Sequence, residues 1–131
     1  MSSQGGMKYD KGKIGANMIF EYFADALWEI AKVADMGAKK YARASWKTVP
    51  NGYERYSDAK ARHFLMQYMT TIPDNEIDSE SELLHLAHQC WNDLAKLQML
   101  LEKKHKETKF DNFYKLDEVF KYQQELERKN K

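Results

Sequence analysis

In the stretch His85-Leu86-Ala87-His88-Gln89-Cys90-Trp91-Asn92, His85, His88 and Asn92 are three and four positions apart. On an α-helix this spacing lines them along one face for two turns. Two imidazoles and an amide so placed can hold a metal, take a phosphate or meet a neighbouring carboxylate, yet one helix gives too few ligands for a closed zinc site. The alternative is a pair of core-edge histidines hydrogen-bonded to other helices. His63 belongs with them, because it falls on the apolar line Tyr56, Ala59, His63, Met66 and Thr70. A buried imidazole without a partner costs on the order of 1–3 kcal/mol, so His63 is expected to complete the cluster of His85 and His88. Beside it, Asp58 and Arg62 have the spacing of a helical ion pair.

Two further groups have chemistry to offer. Glu21, Asp25 and Glu29 recur at intervals of four and make a carboxylate stripe. Such oxygens suit a hard divalent cation in a bundle core, or they form a solvated face with Lys32 paired to Glu29. The segment Lys39-Lys40-Tyr41 with Arg43 and Trp46 joins cations to flat rings, as a nucleotide's phosphates and base would require. Trp46 could equally plug the end of a bundle. Lys8, Tyr9, Lys11 and Lys13 near Gly12 have similar character. There is no glycine-rich phosphate loop and no CxxC pair.

Helices must position these residues. After Tyr53 no glycine occurs, apolar residues recur three and four apart, and few runs alternate with the period of two that strands need. The expected fold is all-α, a compact bundle of about four helices. The first covers 18–36, with Asn17 as N-cap and Gly37 as stop. The second covers 53–71 and ends before the turn Pro73-Asp74-Asn75. The third opens at a Ser79/Glu82 capping box and runs to 104. The fourth, 116–128, lies in an amphipathic C-terminal segment, 105–131.

The composition bounds the rest. At 131 residues the chain suits one domain, 1–131, and 43% hydrophobic with 13% aromatic residues argues against disorder. Lys and Arg number 21 against 20 Asp and Glu, which gives no electrostatic reason to expect duplex nucleic acid or an anionic membrane. Met1–Gly6 lacks the pattern of a secretory signal, no run is long enough to span a membrane, and Cys90 is alone. A reducing cytoplasm is the expected compartment, that of a phage's host included.

Taken together, Tyr9-Asp10-Lys11-Gly12-Lys13, Gly37-Ala38-Lys39-Lys40-Tyr41 with Trp46, Arg55-Tyr56 through Asp58, Arg62-His63, and Asp78 with His85-Leu86-Ala87-His88 and Asn92 resemble the phage and bacterial dATP/dGTP diphosphohydrolases. These are relatives of the all-α MazG-like nucleotide pyrophosphohydrolases, and the resemblance covers about 8–101. It implies cleavage of a purine deoxynucleoside triphosphate between its α- and β-phosphates, with Mg2+ or Mn2+ as cofactor. Asp25, Glu29 and Asp58 would be the metal carboxylates; Asp58, His63, His85 and His88 would be catalytic. Lys11, Lys39, Lys40, Tyr41, Trp46, Arg62 and Asn92 would contact substrate. Relatives of this type assemble as dimers or tetramers, so a homo-oligomer is implied.

The chain also departs from its relatives. The closely spaced glutamates of MazG proteins, EExxE then ExxD, are absent, Trp28 stands where an acidic residue is expected, Ser45 replaces a polar amide, and Glu82 stands where a glycine is common. Two other readings therefore stand beside the enzyme. One is a non-catalytic nucleotide-binding protein, a phage sponge for signalling nucleotides; the other is a helical interaction module.

Overall fold

The computed structural model describes residues 5–108 and 124–130. Helix α1 spans Met18–Lys40, a 3-10 turn spans Ser45–Thr48, α2 spans Gly52–Met66 and α3 spans His85–Thr108. Among the described residues there is no strand, only an isolated antiparallel bridge between Ile77 and Leu84. The all-α expectation holds. Residues 124–129 are helical, and the remainder of the expected fourth helix, 116–123, lies outside the described residues.

Several boundaries differ from the sequence reading, each for a local reason. Asn17 occupies the N-cap of α1, but its side-chain amide donates to Glu21 Oε1 at 2.6 Å instead of accepting a backbone N–H. At the other end α1 passes straight through Gly37, because Met36, Gly37 and Ala38 are partly buried and packing outweighs the roughly 1 kcal/mol that an interior glycine costs. The extra turn carries Lys39 and Lys40 to the negative end of the helix dipole. Helix α2 stops at Met66, short of the expected 71, where the Tyr68 and Met69 amides bond back three residues and tighten the chain into turns.

Helix α3 is central, with α2 packed most extensively against it and α1 less so. Close approach at the start of α2 depends on Gly52, which is buried: a Cβ there would come within 3.0 Å of Met99 Cε and 3.4 Å of the Tyr56 ring. An aromatic cluster holds the 3-10 turn to both helices. Trp91 meets Trp46 and Tyr56 edge-on at 6.0 and 5.5 Å, and the Tyr56 hydroxyl donates to the Trp46 carbonyl at 2.7 Å.

The buried face of α3 is unusually polar. Val33, Ala87 and Ala95 are the buried apolar side chains, whereas His85, His88, Gln89 and Asn92 are all buried and His85 is the most enclosed. The apolar face expected of α1 is largely uncovered: Phe20, Phe23, Ala24, Ala31 and Ala34 are exposed, Leu27 and Ile30 half-buried. A kink at Phe23 divides the helix, and its partly buried residues all lie beyond that kink. No described helix is long and apolar enough to cross a membrane.

Candidate functional site

The site is built by the loop that turns the chain from α2 into α3. Pro73 ends the preceding turn, and the Asp78 amide donates to the Leu83 carbonyl at 2.8 Å while the Glu82 amide donates to the Asp78 carbonyl at 2.7 Å. The His85 amide donates to the Glu76 carbonyl at 2.8 Å, so α3 begins at His85 and not at Ser79. No Ser79/Glu82 capping box forms, because Glu82 sits in the left-handed region with φ 61°. Such a position favours glycine, in line with the glycine that the family resemblance leads one to expect there. Folded back this way, the Asp78 carboxylate accepts the Ser81 amide at 2.9 Å. Ser81 Oγ accepts the Leu83 amide at 3.1 Å and lies 2.7 Å from His88 Nε2.

Behind this loop the three histidines gather between α2 and α3. His63 Nδ1 lies 2.8 Å from His85 Nδ1, and the His63 ring stacks on His88 with centroids 4.3 Å apart and planes 6° from parallel. Burial pushes the His63 imidazole down to about 4, with the facing His88 adding to the effect and Asp78 opposing it. Burial likewise lowers His88, against the pull of Asp78. Burial pushes Asp78 upward, but the hydrogen bonds from Ser81 and the facing His88 and His63 outweigh it, holding the carboxyl below its ordinary range. Neutral imidazoles thus stand beside an ionised carboxylate at neutral pH.

Ser81, His88 and Asp78 do not form a nucleophilic triad. Asp78 Oδ2 approaches His88 at Nε2, 3.8 Å away, the same nitrogen that faces Ser81 Oγ, so no carboxylate orients the ring from its far side.

Ser81 also opens outward. With Leu83 it lines a shallow, largely open groove of about 540 Å³ whose other wall is Lys32, Asp35, Met36, Lys39 and Lys40 of α1. Its lysines are partnered at the surface: Lys39 with Asp35 at 2.8 Å, Lys40 with Glu80 at 2.6 Å and Lys32 with Glu29 at 2.8 Å. A second groove, of about 550 Å³, lies between residues 7–13 and 124–128, and none of the clustered histidines lines it. The Ser81 groove is the better candidate because it touches the buried network.

The sequence-predicted residues separate accordingly. His63, His85 and His88 come together, and Asn92 is buried below them with its amide donating to the His88 carbonyl at 2.8 Å. Lys39 and Lys40 line the groove. Tyr41 is exposed beside the Lys40 ammonium, 5.2 Å from its ring centroid, and Lys11 and Arg62 are exposed. Trp46 packs on Trp91 and lines neither groove.

The carboxylates do not gather. Asp25 and Asp58 are exposed and Glu29 pairs with Lys32, while Asp58 lies five residues from His63, about 140° round α2. Among the described residues, the metal-ligating side chains that do approach within 4.8 Å of one another are His63, Asp78 and His85. Their donor set includes nitrogen and differs from the all-oxygen shell that magnesium favours. A magnesium site made by Asp25, Glu29 and Asp58 within one chain therefore does not fit this geometry.

Three participants were not predicted as site residues: Asp78, Ser81 and Gln89, whose amide donates to Gln67 Oε1 at 2.6 Å and ties α3 to the end of α2. Asp78 was visible only as part of the motif, since the turn that aims it depends on Glu82.

Comparison with known proteins adds the lineage. Over 83 residues the chain is 36% identical to a protein named dATP/dGTP diphosphohydrolase from Salmonella phage PMBT28, a match that takes in 63% of this chain and 26% of that protein. The chain thus spans about a quarter of that relative's length. No solved structure matches. The family model described as dATP/dGTP diphosphohydrolase, N-terminal, matches residues 3–109, and with the motif residues His63, Asp78, His85 and His88 gathered in one buried network, the chain belongs to that family.

Proposed function

We propose that the chain takes part in hydrolysing a purine deoxynucleoside triphosphate, of the dATP or dGTP type, to the monophosphate and pyrophosphate. The observation that carries this reading is Ser81, shared between a lysine-lined groove and the buried imidazole network in a member of a diphosphohydrolase family. In this reading the triphosphate lies along the groove. Lys39 and Lys40 exchange Asp35 and Glu80 for phosphate oxygens, at little cost because both ion pairs are exposed and screened by solvent. Tyr41 lies close enough to Lys40 to face the base, whereas Arg62 and Lys11 do not line this groove.

His88 supplies the proton chemistry. Held neutral by burial, it can take a proton from a water at the groove through the Ser81 hydroxyl, and His63 stacked on it fixes the ring. His85 and Asn92 hold the far side of the network. Mg2+ or Mn2+ would enter with the triphosphate and neutralise its charge. Asp25, Glu29 and Asp58 are as scattered in a second copy as in the first and take no part in this step, although the reading includes a homo-oligomer. Such a homo-oligomer is supported by the large apolar side chains that α1 leaves exposed, Phe20, Tyr22, Phe23 and Trp28 among them.

A second reading is retention of a nucleotide without turnover, favoured by the scattered carboxylates. Incubation of the chain with dGTP or dATP and magnesium, followed by chromatography of products and equilibrium dialysis of nucleotide, separates the two. Monophosphate and pyrophosphate support the enzyme; tight retention of intact triphosphate supports the binder; neither leaves the interaction module.

A further inference from the structure

We propose that His63, Asp78 and His85 form a binding site for a first-row transition metal cation, Mn2+, Fe2+, Co2+, Ni2+ or Zn2+. The three donors come from different parts of the fold: α2, the loop before α3 and the first residue of α3. One ligand atom of each lies within 4.8 Å of the others, and His85 is almost wholly enclosed. Two imidazoles and one carboxylate are a donor set that borderline metals accept and that magnesium does not seek.

The distances are within reach of metal coordination. At metal–nitrogen bonds of about 2.1 Å, two ligands separated by about 3.4 Å suit a tetrahedron and by about 3.0 Å an octahedron. The His63 and His85 Nδ1 atoms are 2.8 Å apart, closer to the octahedral value. Both values require the two nitrogens to move apart by a few tenths of an ångström, so the approach suits any of these metals. Asp78 gives one oxygen to the Ser81 amide, and its carboxylate has a second to offer. The parallel stack of His88 on His63 fixes the orientation of that ring, as supporting contacts do in metal sites. With three protein ligands, such a site keeps coordination positions for water or a ligand beside Ser81, at the groove wall.

The simpler account of the 2.8 Å approach is an N–H···N hydrogen bond between the two imidazoles, and the experiment decides between them. Untagged chain is stripped with a chelator and titrated with Co2+ without nucleotide, so that the outcome is independent of any hydrolysis. One Co2+ per chain, a visible absorption band that saturates with it, and affinity at least about 10–100-fold above that of the His63→Asn/His85→Asn variant are expected. Lys103→Ala, an exposed change late in α3, should bind as the parent does. Because the double variant could fold poorly, the imidazole nitrogen resonances of the parent chain are followed during a Zn2+ titration as well. Shifts at His63 and His85 support the site. No saturable binding of any of these metals, equal affinity in a folded variant, or shifts confined to His105 would overturn it.

Discussion

Ser81 Oγ lies 2.7 Å from His88 Nε2 while Ser81 itself lines the lysine groove, so one hydroxyl joins an exposed cationic surface to a buried imidazole. The same oxygen accepts the Leu83 amide, which keeps the loop folded over Asp78. Local folding and proposed chemistry therefore meet in one side chain.

Ser81→Ala removes both roles and Ser81→Thr keeps the hydroxyl. The alanine variant should lose about 1–2 kcal/mol of stability, from one or two hydrogen bonds, and at least tenfold in nucleotide turnover. Threonine should recover most of the turnover. Equal turnover in parent and alanine variant, measured well below the unfolding transition, would remove Ser81 from the mechanism.

Lys39→Ala and Lys40→Ala test the groove. Their ion pairs with Asp35 and Glu80 are exposed and screened by solvent, so the urea midpoint should hardly move. Nucleotide affinity should fall, with KM rising more than kcat drops, and the double variant should show a shallower dependence on salt. Unchanged affinity in the double variant would place the triphosphate elsewhere.

Burial of His63 gives stability a pH dependence. In the folded chain its imidazole titrates at about 4 against an ordinary 6.5, so between those values the unfolded chain binds the extra proton. Stability must then rise with pH across this window and be complete above it, and His88 acts in the same direction. Urea midpoints of chelator-treated protein at pH 4.5, 5.5 and 7.0 should increase in that order, and His63→Asn should reduce the slope. A midpoint that falls over the same interval would contradict the burial of a neutral imidazole.

Glu82 carries a backbone strain that glycine would not. A residue with a Cβ in the left-handed region costs about 1–2 kcal/mol, and glycine gives back roughly 0.5–1 kcal/mol through unfolded-state entropy. Glu82→Gly should therefore stabilise the chain by about 0.5–1 kcal/mol, read as a higher urea midpoint. A lower midpoint would mean that the Glu82 side chain contributes more than its backbone costs.

The buried stripe on α3 was legible because polar side chains at helical spacing on an apolar segment need partners, and His63 was legible for the same reason on α2. The partners themselves were less so. Asp78 and Ser81 owe their positions to a turn whose left-handed residue is a glutamate, where a glycine would have announced it. Gly37 suggested a helix stop, but partial burial of Met36 and Ala38 carries α1 onward and delivers Lys39 and Lys40 to the groove. The carboxylates of α1 show why spacing alone misleads: Asp25 and Glu29 share a face, yet among the described residues no further metal-ligating side chains gather with them.

The most direct test of the nucleotide account is phosphorus-31 NMR of dGTP incubated with the intact chain and magnesium. The account predicts that the three triphosphate resonances are replaced by those of dGMP and pyrophosphate, and that Ser81→Ala slows the replacement. Release of inorganic triphosphate with deoxyguanosine, release of orthophosphate with dGDP, or dGTP left intact would contradict it.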